Sequence, residues 1–298
     1  PVAVVQRVQM GYQEGYINDL YQVCGNLLAL CGILISTNLE LGLPWLILSF
    51  VGAPLAVTWI NYLVQFRVRM PWLRPRFDLV NLTLVRKILS NGGMILFLTV
   101  LTMIGFQTDI LFISHFQGAS AVTSYSIVQK LSSIAILYWA FINALWPAYG
   151  EAFARYDYDW IRRTILRSLN FSLSGGLIIG AGLFFFGNML IRLWLGDAVQ
   201  VDGTLLLGFA AFIFVNGLIG VIAVVYNSSF LIERQAIPFL IATAVSLLLK
   251  YLLGRYAGAN YIVWSTTVSY GFLYLIPCSL MLRRAYFSPQ KASTEARG

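Results

Sequence analysis

Two ionisable residues interrupt long apolar runs of this sequence, and they are the first candidates for chemistry. Asp109 precedes one apolar run, and Lys130 ends a run that starts at Tyr125. A charged group inside a bilayer costs about 2.5–3.5 kcal/mol on insertion scales, so such groups pair with one another or serve a function. Two interpretations stay open: a buried Lys–Asp pair that only fixes helix register, or a cationic anchor for an anionic substrate, with Asp109 tuning it or taking part in ion coupling.

A polar and aromatic stripe surrounds Lys130. Positions spaced by three or four residues share one helix face, and this face carries Tyr125, Gln129, Ser132, Ile136, Trp139, Asn143 and Trp146. An aromatic stripe alone is usually core packing, but amides beside a lysine favour a hydrated cavity that recognises sugar or phosphate. The candidate substrate-binding residues are therefore Lys130, Asp109, Tyr125, Gln129, Asn143 and Trp139.

The composition of the chain indicates that these candidate residues lie in an apolar environment. Of 298 residues, 59% are hydrophobic and 11% charged, with a mean hydropathy of +0.76, whereas soluble domains carry about 25% charged residues. This argues against a water-soluble enzyme and against a disordered or nucleic-acid-binding chain. The sequence shows no zinc-ligand spacing, catalytic triad or phosphate-binding glycine loop. We expect no catalytic residue, no metal, no cofactor and no nucleic-acid partner.

Apolar segments long enough to cross a bilayer define the elements that position the candidates. A helix needs about 20 such residues to span the hydrocarbon core. Pro54 and Pro277 lie inside spans and are expected to kink them, while Gly176 and Gly180 share a helix face and allow close helix packing. The sequence predicts an all-α, polytopic membrane helix bundle with about eight transmembrane helices, at 16–37, 42–65, 90–114, 120–146, 165–187, 204–230, 236–254 and 259–282.

The basic residues predict the orientation of this bundle. If residues 1–15 are cytoplasmic, 16 of the 20 lysines and arginines fall on the cytoplasmic side. Only Arg192, Lys250 and Arg255 fall on the opposite side, and Lys130 remains within a span. This bias follows the positive-inside rule, so both ends of the chain are expected in the cytoplasm.

Short motifs near the two charged residues are similar to those of one transporter family. They are Thr108-Asp109, Gln117-Gly118, Thr123-Ser124-Tyr125 and Gln129-Lys130-Leu131, together with the stretches 13–16, 146–152 and 159–163. With these motifs the chain resembles the bacterial polysaccharide flippases of the MOP superfamily, which export O-antigen and other lipid-linked oligosaccharides. The MATE exporters and the lipid II flippase are relatives of that family.

The resemblance implies a domain organisation. Residues 1–65 would be the last two helices of a first lobe, 66–89 a basic cytoplasmic linker, 90–283 a six-helix second lobe and 284–298 a cytoplasmic tail. The eight spans would correspond to helices five to twelve of a MATE-like architecture. Because the chain begins at Pro1 without a methionine, we expect the N-terminal helices to be missing.

The resemblance also implies a function. The expected protein is no enzyme but a transporter of the bacterial inner membrane, which moves a polyprenyl-pyrophosphate-linked oligosaccharide by alternating access for cell-surface polysaccharide biosynthesis. Lys130 would contact phosphate or sugar phosphate, and Asp109 would pair with it or respond to a coupling cation, H⁺ or Na⁺. The alternatives are a cation-coupled MATE-type exporter of small molecules and, in a different class, a membrane glycan polymerase or glycosyltransferase.

Overall fold

A computed structural model describes residues 4–74, 81–196, 199, 201–229 and 231–287, without the side chains of residues 87, 88, 90 and 91. These residues are almost entirely helical and contain no β-strand. Within the described ranges, eight helices are long and apolar enough to cross a membrane, which confirms the predicted all-α polytopic bundle. They are α1 (Gly15–Asn38), α2 (Leu43–Arg69), α3 (Gly92–Gln117), α4 (Ala119–Ala154), α5 (Tyr158–Leu195), α6 (Gly203–Ser228), α7 (Ile232–Tyr256) and α8 (Ala259–Tyr286).

Helix α5 departs most from its predicted range, 165–187, because it begins before and ends beyond the apolar segment. Its N-terminus is capped by Asp157, whose Oδ1 accepts a hydrogen bond from the backbone N–H of Trp160 at 3.0 Å. Its C-terminus is followed by Gly196, which adopts a φ of +67°. These two signals mark the helix ends, whereas hydropathy marks only the part that fits within hydrocarbon.

Several of the long helices are interrupted. The two prolines expected to produce kinks each follow a π-helical turn, Leu48–Gly52 before Pro54 and Gly271–Leu275 before Pro277, so the regular hydrogen-bond ladder is disturbed at both places. Helix α3 breaks at Thr108: its first part is the C-terminal portion of the helix Leu82–Gln107, and its second part is Asp109–Gln117. Such breaks free backbone groups, which neighbouring helices, side chains or waters must satisfy at membrane depth.

The chain forms two compact units, and the first comprises Pro1–Val85. Its short N-terminal helix, Val4–Gly11, carries Gln9, which is fully buried. Gln9 Nε2 donates to Asn61 Oδ1 at 2.8 Å, and Asn61 Nδ2 donates to Gln9 Oε1 at 3.2 Å. Within this unit α1 packs closely on α2, since a Cβ on Gly25 would lie 3.0 Å from the Pro54 Cα.

The second unit comprises Arg86–Gly298 and holds helices α3 to α8. Helix α6 is the most buried of the eight. Helix α5 lies directly against it, because a Cβ on Gly176 would be 3.1 Å from the Phe214 Cα and one on Gly180 would be 2.9 Å from the Ala210 carbonyl oxygen. The predicted close approach at these two glycines is therefore confirmed.

The described ends of the predicted linker 66–89 are partly helical. Helix α2 continues to Arg69, a 3₁₀ turn covers Pro71–Leu73, and the helix that leads into α3 begins at Leu82. Asn81 Oδ1 accepts from the Thr83 N–H at 2.9 Å at that helix start. Residues 75–80, and most of the predicted tail 284–298, lie outside the described residues.

Candidate functional site

A buried ion pair joins α3 to α7 within the second unit. Lys250 Nζ lies 2.5 Å from Asp109 Oδ1. Lys250 is 0% and Asp109 5% exposed, so both charges are removed from solvent. Buried charges are stable only when their partners and hydrogen bonds replace the lost water, and the surrounding residues supply such partners.

The break in α3 creates those partners. Helix Leu82–Gln107 ends just before Thr108, so its last carbonyl oxygens have no intrahelical donor. Lys250 Nζ donates to the Gly105 carbonyl oxygen at 2.5 Å and to Thr108 Oγ1 at 3.2 Å. Asp109 is the first residue of the second half-helix, and its Oδ2 accepts a hydrogen bond from the hydroxyl of Tyr125 on α4. We call these five residues the ion-pair site.

Hydroxyl groups from α7 and α8 continue this buried polar region. Thr243 Oγ1 and the Tyr270 hydroxyl lie 2.7 Å apart, and Ser246 Oγ and Thr266 Oγ1 lie 3.4 Å apart. All four residues are buried. A Cβ on Gly105 would lie 2.0 Å from the Tyr270 hydroxyl, so the absence of a side chain at position 105 lets Tyr270 approach the carbonyl that Lys250 binds.

A second polar feature, the polar cleft, is an open cavity of about 730 Å³ in the same unit. Helices α3, α4 and α6 form its walls. Most of its exposed lining is apolar and includes an indole and two phenyl rings, and carboxamides and hydroxyls supply the polar part. The residues are Thr102, Phe106, Gln107, Gln129, Ser132, Ser133, Ala135, Ile136, Tyr138, Trp139, Ala140, Asn143, Phe212, Ile213 and Asn216.

The local packing fixes the wall that α4 contributes to the cleft. The Tyr138 hydroxyl donates to the Ile213 carbonyl oxygen at 2.9 Å, which ties α4 to α6. The indole of Trp139 lies against Gly220, where a Cβ would be only 2.7 Å from the ring. Asn143 is exposed, and its Nδ2 donates to the Trp139 carbonyl oxygen at 3.1 Å. Its Oδ1 accepts no hydrogen bond from the residues that the structure describes.

Five of the six predicted site residues divide between these two features. The polar stripe predicted on α4 lines the cleft at five of its seven positions, including Gln129, Trp139 and Asn143. Tyr125 and Asp109 belong to the ion-pair site instead. Lys130 is exposed, and its ammonium forms no ion pair with any residue that the structure describes.

The expected pairing of Asp109 with Lys130 is wrong, because Asp109 binds Lys250. The charge bias also predicts Lys250 among the cations on the outer side of the membrane. Its side chain is instead fully buried, although it lies six residues before the end of its helix. The sequence did contain a signal: Thr243, Ser246 and Lys250 follow a three- and four-residue spacing and so form a polar face on α7. Arg255 lies in the next turn, so the two basic residues together suggested an exposed basic helix end.

The second unit thus combines a neutralised, fully buried ion pair with an accessible polar cleft. The cleft offers hydrogen-bonding groups and aromatic surface, and the ion pair joins α7 to a broken helix. Models of known protein families, curated proteins and solved structures give no match to this chain.

Proposed function

We propose that this membrane protein is a transporter that moves a polyprenyl-pyrophosphate-linked oligosaccharide across the bacterial inner membrane by alternating access, with both ends of the chain in the cytoplasm. The observation that carries the proposal is the polar cleft, because it places four carboxamide side chains in a bundle that is otherwise apolar enough to lie in lipid. These are Gln107, Gln129, Asn143 and Asn216. Polar side chains at membrane depth mark the path of a polar substrate.

The chemistry of the cleft suits a sugar better than a simple ion. Carboxamides both donate and accept hydrogen bonds, as the hydroxyl groups of a sugar require. Trp139 adds a flat apolar surface beside them, which can cover the C–H face of a sugar ring. A cavity of about 730 Å³ also falls within the usual range for small-molecule sites, about 300–1,000 Å³.

Lys130 extends this argument to an anionic substrate. It lies 11 residues into the 36-residue helical stretch Ala119–Ala154, and it neighbours Ser133 of the cleft, since residues three apart are adjacent on a helix surface. An exposed ammonium at this depth requires water or protein next to it rather than hydrocarbon. A hydrated cavity on this face would give Lys130 access to the phosphate groups of a lipid-linked glycan.

The MATE-type alternative has less support. A site for cationic drugs favours an accessible carboxylate, whereas Asp109 is buried and held by Lys250 and Tyr125. None of the described residues that line the cleft is an aspartate or glutamate. We therefore place the cargo in the polar cleft and give Asp109 a role in the framework around it.

Binding of lipid-linked oligosaccharide to the purified full chain in lipid nanodiscs tests the proposal. Asn143→Ala removes a carboxamide from the cleft, and we expect it to weaken binding about 5–30-fold, the equivalent of about 1–2 kcal/mol for a lost hydrogen bond. Asn170→Ala is the matched control, because Asn170 is exposed on α5 and lies away from the cleft. Equal dissociation constants for the wild type and both variants would refute the cleft as the binding site.

A further inference from the structure

The environment of the Lys250 ammonium has the composition of a cation-binding site. Three oxygens lie within 3.2 Å of Nζ, which equals the number of its N–H donors: Asp109 Oδ1, the Gly105 carbonyl oxygen and Thr108 Oγ1. Each is a different kind of oxygen. A carboxylate, a free backbone carbonyl at a helix break and a hydroxyl are the groups with which membrane proteins bind small cations at discontinuous helices.

Two opposite helix-dipole ends meet at the break in α3, and the groups that face Nζ there carry negative charge. The C-terminal end of Leu82–Gln107 carries the negative end of its helix dipole, and Gly105 offers its carbonyl there to Nζ. The Asp109 carboxylate adds one full negative charge. Tyr125 holds the other carboxylate oxygen through its hydroxyl, which keeps Oδ1 directed at the cation.

We propose that the ion-pair site is a binding site for a monovalent cation and that Lys250 fills it with an ammonium group from within the chain. The ligand set points to a single charge, because it contains one carboxylate. A Ca²⁺ ion would need about six to eight oxygen ligands, most of them from carboxylates and carbonyls. The site is thus occupied permanently, and the wild-type protein requires no added Na⁺ or K⁺ there. This inference does not depend on the cargo of the transporter.

Shortening the lysine tests the inference by chemical rescue. Lys250→Ala retains the Cβ and removes three methylene groups and the nitrogen, so a small primary ammonium such as ethylammonium or n-propylammonium can occupy the vacated space. The experiment measures the thermal unfolding midpoint of the full chain in nanodiscs against increasing n-propylammonium chloride, with choline chloride keeping the ionic strength constant. Choline is too bulky for the site and has no N–H donor.

We expect the Tm of the Lys250→Ala variant to rise by roughly 5–10 °C at a hundredfold excess over the dissociation constant, and to keep rising with the logarithm of the n-propylammonium concentration. Two variants provide matched controls. Lys250→Met fills the space with an apolar chain, and Asp109→Asn combined with Lys250→Ala removes the negative charge. Neither these variants nor the wild type should respond to n-propylammonium beyond the choline baseline.

Two results would overturn the proposal. One is a flat Tm for Lys250→Ala in all salts; the other is an equal response from the Asp109→Asn, Lys250→Ala double variant. If Lys250→Ala cannot be purified folded, its recovery becomes the readout. A higher folded yield when n-propylammonium is present during extraction supports the proposal, and equally poor recovery with choline and n-propylammonium contradicts it.

Discussion

Removing either member of the Asp109–Lys250 pair should destabilise the protein far more than removing both. At the observed Nζ–Oδ1 separation of 2.5 Å, the attraction between unit charges is about 6–7 kcal/mol with an effective dielectric constant of about 20. Desolvation of the two ions offsets much of this attraction. A single substitution loses the attraction but leaves the other charge buried, and such losses are about 3–5 kcal/mol.

The variants that measure this are Asp109→Asn, Lys250→Met and their combination. Both single variants should lower the unfolding free energy by about 3–5 kcal/mol, whereas the double variant should recover most of that loss because no buried charge remains. Lys130→Met is the matched control, since the same substitution is made at an exposed lysine without a described ion pair. Its effect should stay within about 0.5 kcal/mol.

The assay is thermal or denaturant unfolding of the full chain in nanodiscs, analysed as a double-mutant cycle. A coupling energy of about 3 kcal/mol or more is expected between positions 109 and 250. Strict additivity of the two single effects would refute the reasoning, because it would mean that the two charges do not stabilise each other. A large effect from Lys130→Met would contradict the assignment of Lys250 as the partner.

Two further predictions concern packing and buried polar groups. Gly180→Ala should lower the unfolding free energy by about 1–3 kcal/mol, because its Cβ would lie 2.9 Å from a backbone oxygen of α6. Gly182→Ala on the same helix places a Cβ with no atom within 4 Å, so it should be neutral or stabilising in the same unfolding assay. Asn61→Leu should lower the unfolding free energy by about 1–3 kcal/mol, because buried Gln9 loses its two hydrogen bonds to Asn61 and keeps the longer one to Gln65 Oε1, at 3.4 Å. Asn26→Leu, at an exposed position of α1, should change the midpoint little. Equal effects within either pair would show that these contacts do not determine stability.

The eight helices could be predicted from the sequence because the bilayer imposes a length and a composition on each span. Hydropathy could not predict the ends of α5, since capping by Asp157 and the left-handed Gly196 extend the helix beyond the apolar segment. The same applies to the break at Thr108, where the apolar run continues but the helix does not.

The cleft and the ion pair show what periodicity can and cannot predict. The i, i+3 and i+4 spacing correctly predicted that Gln129, Trp139 and Asn143 share one surface, because all three belong to one helix. The sequence did not predict the partner of Asp109, because the depth of a residue in the membrane does not specify which helices are neighbours. Lys130 is nearer in sequence, yet the packing of α7 beside α3 brings Lys250 to the carboxylate.

Translocation of a fluorescent polyprenyl-pyrophosphate-linked oligosaccharide by the purified full chain in liposomes tests the central claim most directly. A membrane-impermeant quencher distinguishes the two leaflets, and protein-free liposomes give the background. We predict wild-type translocation above background and retained activity in Lys130→Arg. Lys130→Gln keeps the side chain polar but removes its charge, and it should lower activity by roughly tenfold or more, as expected for the loss of a charged hydrogen bond. Translocation by the wild type at the background rate, or by Lys130→Gln at the wild-type rate, would contradict the account.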